Sequence, residues 1–232
     1  MSDHTEKGKL YLVSTPIGNL EDITLRALNV LKQVDLIAAE DTRRTGILLN
    51  HYHISAELES YYDHNKRQKT PQLIKKLLQG TDIALVSDAG TPGISDPAFY
   101  LVREAVSQNI QIIPIPGPVA AIAALVASGL PTDRFTFEGF LPVKKKRKKK
   151  LESIAVLEGT IVLYESPHRL IRTLKDLEDY CGNRKIAVCR ELTKKFEEIV
   201  RGSLTEVKET FSQRSSIKGE CVLIMEGADK KN

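Results

Sequence analysis

Short apolar segments recur along the chain, separated by stretches whose apolar residues have helical spacing. The apolar segments have the length and composition of β-strands. They are Leu10–Ser14, Asp35–Ala39, Ile83–Ser87, Ile110–Ile115, Phe135–Leu141, Thr160–Glu165, Lys185–Arg190 and Glu220–Met225. Strands that alternate with helices are typical of α/β architecture. The pattern therefore predicts an α/β fold.

Two of the helices can be placed from the spacing of their residues and from their caps. After the first strand, apolar residues recur about every four positions, which puts them on one helical face. They are Ile23, Ala27, Leu31 and Val34. A second helix is predicted after Ser95 or Asp96, either of which can cap it, with Pro97 in its first turn.

The segment "PIPGPVAA", Pro114–Ala121, interrupts the alternating pattern. Three prolines and one glycine separate a strand-like run from an alanine-rich helix. Because proline is a poor residue for a central strand, the segment predicts a joint between two domains. We place an N-terminal α/β domain at residues 1–115 and a C-terminal α/β domain at residues 116–232, and we expect a ligand cleft between them.

The composition is that of an ordinary soluble protein, with 41% hydrophobic and 28% charged residues among 232. The longest apolar stretch, Val119–Leu130, is too short to span a bilayer. The N-terminal "MSDHTEKGK" lacks the apolar core of a secretion signal. We therefore expect a cytoplasmic protein.

The cysteines and histidines do not form a known metal or disulfide pattern. Cys181, Cys189 and Cys221 are odd in number and include no CxxC motif, which argues against a disulfide framework or a zinc site. The five histidines include no HExxH motif. The sequence predicts buried structural thiols and no metal.

The positive charge of the chain is concentrated in one segment, "KKKRKKK", Lys144–Lys150. Without its seven charges, 34 − 7 = 27 basic residues face 30 acidic ones, so the remainder has a net charge of −3. Such a run is often only a solvated, disordered surface. Its concentration on an otherwise acidic chain also fits a polyanionic partner.

Four loops that contain glycine or proline follow predicted strands, where open α/β sheets bind their ligands. They are Ser14–Asn19, Ser87–Pro97, Ile115–Ala120 and Tyr164–Arg169. None matches GxGxxG or GxxxxGK[ST], so a Rossmann or P-loop phosphate site is poorly supported. Any one of these loops alone is better explained as a turn. Together, with the acceptors Asp88, Asp96 and Glu165, they fit an adenosine that carries a cationic sulfonium tail.

Ten motifs then give the chain a family resemblance. They are, in order, "STPIGNLEDIT", "AAEDTRRT", "DHN", "LVSDAGTPGISDP", "PIPGPVAA", "GLPTDRF", "EGFLP", "YESPHR", "RELTK" and "KGECVLI". From about Leu10 to Gly227, the chain resembles the small-subunit ribosomal RNA methyltransferases of the tetrapyrrole methylase superfamily. Ten motifs in this order are far more specific than any single loop.

The resemblance implies an S-adenosylmethionine (SAM) dependent enzyme, usually a homodimer, with two α/β domains and a SAM cleft between them. The implied reaction is 2′-O-methylation of a cytidine ribose in the decoding region of 16S rRNA in the 30S subunit. The opening strand, loop and helix then line a SAM site and hold no phosphate. The implied SAM residues are Pro16, Gly18, Asp88, Ala89, Gly90, Thr91, Pro92, Ser95, Asp96, Pro116, Gly117, Ala120 and Glu165.

Catalytic and RNA-binding residues follow from the same motifs. A base near the ribose hydroxyl would assist transfer, and we expect Glu165, His168 or Glu191 in this role. Asp88 and Glu40 are further candidates, and a salt bridge or a helix cap is an equally good role for each. The cations expected to hold RNA are Arg43, Arg44, Arg134, Lys144, Lys145, Lys146, Arg147, Lys148, Lys149, Lys150, Arg169 and Lys194.

One departure from the family and three alternatives accompany this interpretation. Members often carry a helical extension after the "KGE" strand, whereas this sequence ends at Asn232, so we expect the lysine run to supply RNA affinity in its place.

A methylase of corrin-type rings is the first alternative, but such an enzyme usually has a more glycine-rich first loop and has no use for a lysine run. The diphthamide-forming relatives fit "EDTRRT" and "YESPHR" poorly. An inactive ribosome-binding protein would lack SAM binding.

Overall fold

The structure, a computed structural model, describes residues 6–228. The chain divides into two compact units, the first ending at Val119 and the second beginning at Ala120. Each unit contains one five-stranded sheet with helices packed on it. The predicted α/β fold is therefore confirmed. No helix within residues 6–228 is long and apolar enough to cross a bilayer.

The first unit contains five strands and four helices, and the second contains five strands and four helices within the described residues. The strands are β1 (Leu10–Val13), β2 (Leu36–Ala39), β3 (Glu57–Ser60), β4 (Ile83–Val86), β5 (Ile112–Ile115), β6 (Phe135–Phe140), β7 (Thr160–Glu165), β8 (Lys185–Arg190), β9 (Glu198–Ser203) and β10 (Cys221–Met225). The helices are α1 (Leu25–Gln33), α2 (Thr42–His51), α3 (Lys66–Leu78), α4 (Ala98–Ser107), α5 (Ala120–Ser128), α6 (Arg147–Ala155), α7 (Leu170–Cys181) and α8 (Leu204–Ser212).

The sheet of the first unit is entirely parallel, with the strand order β3-β2-β4-β1-β5. Its inner strands β2 and β4 are apolar and buried at every position, as expected for parallel strands that are covered on both faces. Because all five strands run the same way, the loops that follow them meet at one edge. We call this edge the first carboxyl edge.

The sheet of the second unit is mixed, with the order β6-β7-β10-β8-β9. β6 is parallel to β7, while β10 runs antiparallel to both β7 and β8. The strands β6, β7 and β8 therefore point in one direction, and Glu165 and Arg190 both pair with Cys221. The loops after these three strands meet at what we call the second carboxyl edge.

The sequence pattern missed the two strands β3 and β9. Each lies at the end of a sheet, and neither has the apolar run of an inner strand. An edge strand is satisfied by pairing on one side only, so local apolar patterning need not be strong. Pro114 lies within β5, another edge strand, where its missing N–H is tolerated.

The boundary between the units follows Val119 and not Ile115. The hydroxyl of Thr91 donates to the carbonyl oxygen of Pro118 at 3.1 Å, which attaches the intervening loop to the first unit. The alanine-rich helix that follows, α5, belongs to the second unit. The first unit thus extends four residues beyond the predicted domain end at Ile115, since 119 − 115 = 4, and it ends within the predicted joint Pro114–Ala121.

The structure contains the predicted helices after the first strand and after Asp96, and it buries two of the three cysteines. The four apolar residues around α1 are all buried, with Ile23 just before the helix and Val34 just after it. The side chain of Asp96 accepts from the Ala98 N–H at 2.8 Å, and Pro97 immediately precedes α4. Cys189 and Cys221 are buried, and burial raises the pKa of Cys221 to about 12. The prediction of buried thiols is confirmed for these two.

Candidate functional site

The loops after β1 and β4 are joined by backbone hydrogen bonds at the first carboxyl edge. The Thr15 N–H donates to the carbonyl oxygen of Gly90 at 2.9 Å, and the Gly90 N–H returns the bond at 3.0 Å. Gly90 has a φ of +83°, and an added Cβ would lie 3.4 Å from the side chain of Ile17. The loop therefore requires glycine at this position because other residues rarely adopt this backbone.

The loop after β5 joins the same assembly. The hydroxyls of Ser14 and Thr91 are 2.7 Å apart, and Ser14 also donates to the carbonyl oxygen of Ile115 at 3.1 Å. A Cβ on Gly117 would lie 2.7 Å from the Cβ of Ser14, so the backbone of this loop can come close only as glycine. The structure thus brings three of the predicted SAM loops to one edge.

Asp88 carries the clearest sign of a ligand at this edge. Its N–H donates to Oε2 of Glu40 at 3.3 Å, and its Oδ2 pairs with Arg44 at 3.3 Å. The other carboxylate oxygen, Oδ1, is buried and has no hydrogen-bond partner among residues 6–228. A buried carboxylate oxygen without a donor is costly, so such atoms usually mark the place of an external partner.

The remaining acids of the edge have different roles. Burial raises the pKa of Glu40, and the charges of Asp88 and Asp96 raise it further. Burial also raises the pKa of Asp96, whose carboxylate accepts from the N–H groups of Gly93 and Ala98. Asp96 therefore shapes the loop, as does its neighbour Ser95 with a φ of +69°.

One candidate ligand residue was missed in the sequence. Asp22 lies at the end of a short 3-10 helix, Leu20–Asp22, directly after the first loop, and its Oδ2 is buried without a partner among the described residues. The available signal was its place in "IGNLED", four residues after Gly18. The helical spacing of the apolar residues around it directed attention to packing instead.

The two arginines after β2 differ in availability. Arg43 forms two bonds to the carboxylate of Asp41, and these bonds lower the pKa of Asp41 to about 2. Its side chain is nevertheless 89% exposed, so it stays accessible to a phosphate. Arg44 forms an ion pair with Asp88, so it belongs to the first carboxyl edge.

Glu165, at the end of β7, has both carboxylate oxygens engaged. Oε1 accepts from the Ser166 N–H at 2.8 Å and pairs with Arg169 at 3.2 Å, and Oε2 accepts from the Thr173 hydroxyl at 2.6 Å. The side chain is completely buried. This arrangement does not support the expected role of Glu165 as a base or a SAM ligand, because the carboxylate is buried and both of its oxygens have internal partners. It fits an anchor for the loop after β7.

The other two catalytic candidates lie in loops at the second carboxyl edge. Glu191 pairs with Lys194 at 2.9 Å and has a φ of +52°. Its side chain occupies the space that a Cβ on Gly219 would need. His168 is exposed on the short 3-10 helix Pro167–Arg169. Of the three candidates in the described chain, only His168 is neither buried nor ion-paired.

Arg147 differs from the rest of the basic run because it is buried. Its Nε donates to Asp176 at 2.7 Å, its Nη2 donates to the Thr173 hydroxyl at 2.8 Å, and its Nη1 donates to the carbonyl oxygen of Pro142 at 3.2 Å. Thr173 in turn donates to Glu165, which links Arg147 to the β7 loop. Arg147 is therefore bonded internally, unlike the exposed lysines beside it, and this arrangement does not support its expected role in RNA binding.

The remaining lysines of the run form a surface feature. Lys150 pairs with Glu138, whereas five others are exposed. These five, which we call the lysine patch, are Lys144, Lys145, Lys146, Lys148 and Lys149. The run is ordered, since α6 begins within it, and it is not the disordered surface that a charge run alone would suggest.

The other expected RNA cations of this unit fall at opposite edges of its sheet. Arg169 and Lys194 follow β7 and β8 and so lie at the second carboxyl edge, as does the start of the lysine patch. Arg134 precedes β6, at the opposite edge, and pairs with Glu158 at 3.0 Å. The topology thus separates Arg134 from the cations with which it was grouped.

Replacing Arg147 with methionine is expected to lower the free energy of unfolding by about 3 kcal/mol, because it leaves buried acceptors without their donor. Lys148→Met is a matched control: it removes a cation from the next position, where the side chain is 77% exposed, and should change stability little. Urea denaturation of both variants measures the difference. Equal stability of the two variants would contradict the buried network.

Comparisons with known proteins bear on the whole chain. A family model described as Tetrapyrrole (Corrin/Porphyrin) Methylases matches residues 9–208. A protein named ribosomal RNA small subunit methyltransferase I from Halalkalibacterium halodurans is 53% identical over 227 residues, which cover 97% of this chain and 78% of that protein. A protein of the same name from Synechocystis sp. is 54% identical over 223 residues, covering 95% and 80%.

A solved structure extends the likeness to the fold. Uroporphyrin-III C-methyl transferase from Thermus thermophilus, complexed with S-adenyl homocysteine, aligns with a TM-score of 0.64 at 20% identity, covering 94% of this chain and 97% of that one. At this identity the likeness concerns the fold alone. The family match and the identities above 50% agree with the motifs quoted from the sequence. The chain therefore belongs to the tetrapyrrole (corrin/porphyrin) methylase family.

Proposed function

We propose that this protein transfers a methyl group from SAM to the 2′-hydroxyl of a cytidine ribose in the decoding region of 16S rRNA. The relatives named as ribosomal RNA small subunit methyltransferase I support methyl transfer to rRNA. The observation that carries the choice of RNA over a tetrapyrrole is the lysine patch. It belongs to the Lys144–Lys150 run, without which the chain is acidic, and a polyanion binds such a surface through its phosphates.

SAM is proposed to bind at the first carboxyl edge. Glycine at positions 90 and 117 lets the backbone come close, and Oδ1 of Asp88 supplies a buried acceptor that has no donor among the described residues. These features suit a neutral or cationic polar ligand better than a phosphate, since a carboxylate repels an anion. SAM supplies a methyl group already activated by its sulfonium, so positioning the ribose hydroxyl should provide much of the rate.

The N-terminus of α6 supports the RNA part of the proposal. The helix begins with Arg147–Lys150, has no acid in its first turn and has no side-chain cap. Arg147 and Lys150 have internal partners, so Lys148 and Lys149 are the exposed cations of this first turn that the positive end of the helix dipole repels. Lys146, just before the helix, adds strain with a φ of +67°. Phosphates at this end would relieve the repulsion, because helix N-termini favour anions.

The proton of the ribose hydroxyl must pass to a base or to water as the methyl group is transferred. Glu165 and Glu191 are engaged by internal partners, which leaves Glu40 and His168 as the proposed acceptors. Burial raises the pKa of Glu40, which makes it a better acceptor than an ordinary carboxylate.

Dimerisation and location remain predictions drawn from the family resemblance. Ile122 and Val126 are exposed on one face of α5, at 43% and 69%, and we propose this face as part of a homodimer contact. An enzyme that acts on the small ribosomal subunit works in the cytoplasm.

The proposed function is tested by methyl transfer from isotopically labelled SAM to 30S subunits that lack ribose methylation. We expect label at one decoding-region cytidine, in a linkage that resists alkaline cleavage because the 2′-oxygen is blocked. Free 16S rRNA and assembly intermediates serve as alternative acceptors. Label absent from all three, with SAM binding intact, would show that the substrate is wrong and would direct the search to tetrapyrrole rings.

A further inference from the structure

The hairpin loop between β8 and β9, residues 191–197, presents an aromatic ring to solvent. Phe196 is 65% exposed. The loop follows β8 and so lies at the second carboxyl edge, where the loop that starts the lysine patch also lies. Phe196 is not part of the hydrophobic core of the second unit.

The conformation of the loop is fixed by several bonds. The Lys194 N–H donates to the carbonyl oxygen of Glu191 at 3.0 Å, the Glu197 N–H donates to that of Lys194 at 3.0 Å, and the Thr193 N–H donates to the Glu197 carboxylate at 2.6 Å. Glu191 and Thr193 both have left-handed backbones, with φ of +52° and +64°. Such residues are strained, and the surrounding bonds maintain the strain. The backbone of the loop that carries Phe196 is therefore fixed by the loop's own hydrogen bonds.

One cation lies over the exposed ring. The Nζ of Lys195 lies 5.7 Å from the centre of the Phe196 ring. The preceding residue, Lys194, is paired with Glu191 at 2.9 Å, so Lys195 supplies the charge beside the ring. An aromatic ring with an adjacent cation is well suited to a polyanion with planar groups.

We propose that Phe196 is a stacking platform for an unpaired RNA base, with Lys195 on a flanking phosphate. The inference rests on the proposed function and extends it, because it assigns a base contact where the lysine patch supplies only phosphate contacts. Proteins bind single-stranded RNA by combining aromatic rings, on which bases stack, with cations that follow the backbone. A ribose in structured RNA becomes accessible when its nucleotide is splayed out, so an unpaired base near the target needs such a platform.

The test compares Phe196→Leu with Phe196→Tyr in binding to, and methyl transfer on, unmethylated 30S subunits. Leucine keeps an apolar side chain but cannot stack like a ring, whereas tyrosine can. We expect about tenfold weaker 30S binding for Phe196→Leu and near wild-type binding for Phe196→Tyr. The slope of log K against log[salt] should be unchanged in both, since no charge is lost. Phe135→Leu is the matched control, as Phe135 is 41% exposed at the opposite edge of the same sheet.

Three results would overturn the inference. Wild-type affinity of Phe196→Leu would show that the ring makes no stacking contact. Equal losses in Phe196→Leu and Phe135→Leu would show a general effect of exposed rings, and loss in Phe196→Ala but not in Phe196→Leu would show an apolar protein contact. In each of these cases wild-type methyl transfer to 30S still stands, so the proposed function survives. If the wild-type protein neither binds nor methylates 30S, both proposals fall.

Discussion

Replacing the five residues of the lysine patch with serine is expected to weaken 30S binding about a thousandfold at 0.15 M salt. Each contact with single-stranded phosphate contributes about 0.7 to the slope of log K against log[salt], so five contacts contribute about 3.5. These contacts contribute little at about 1 M salt, so the loss of affinity at 0.15 M is the slope multiplied by the logarithm of the ratio of the two salt concentrations, which is about a thousandfold. Arg147 and Lys150 stay unchanged in the variant because they have internal partners. Had all seven cations been exposed, the expected slope would have been near −5.

The measurement is a salt titration of 30S binding, with SAM binding recorded in parallel. Replacing the same five lysines with arginine is the matched control, because it keeps the charge and should keep the slope. SAM affinity should be the same in the serine variant, the arginine variant and the wild type. A serine variant whose slope falls by less than about 1 would show that the lysine patch is not on the RNA.

Asp88→Ala is expected to weaken SAM binding about 10- to 100-fold, because a hydrogen bond to a charged acceptor contributes about 1.5–3 kcal/mol. The variant removes the unpartnered Oδ1 and leaves the backbone of the loop after β4 in place. It also releases Arg44 from its ion pair, which adds an unbalanced cation beside a cationic ligand. Titration of SAM by calorimetry measures the change directly.

Asp82→Ala provides a control at the other end of the same strand. Asp82 immediately precedes β4 and is half-buried like Asp88, and its carboxylate accepts from the Lys9 N–H at 2.7 Å. Its loss should lower stability by about 1 kcal/mol and leave SAM affinity unchanged. If Asp82→Ala and Asp88→Ala weakened SAM binding equally, the effect would belong to the sheet and not to the site.

The fold was predictable in the segments whose burial is reflected in the local pattern of apolar residues. β2 and β4 are covered on both faces, so every position is apolar, and the sequence identifies both strands. β3 and β9 were missed because an edge strand is defined by its neighbour's hydrogen bonds, which no local pattern encodes. The loops that carry Gly90 and Gly117 were predictable too, since glycine and proline restrict the backbone locally.

The roles of individual charges were predictable only in part. "KKKRKKK" identifies a concentration of charge, but nothing in its letters shows that Arg147 is buried. That outcome depends on Thr173 and Asp176, more than twenty residues away, which reach the guanidinium only after α7 has packed beside α6. The sequence suggested a catalytic role for Glu165 because it does not show the partners of this carboxylate. The Thr173 hydroxyl reaches Glu165 only in the folded chain.

The sequence by itself determined the α/β class, the family and the loops that form the candidate site, because each leaves a local signature in spacing or in motif order. Only the tertiary structure decided which charges are available for binding. In the folded chain Arg147 and Glu165 are buried and both bond to Thr173, Oδ1 of Asp88 has no donor among residues 6–228, and Phe196 is exposed beside Lys195. A charged or polar group acts according to the partners that surround it, and those partners come from distant segments that meet only when the chain folds.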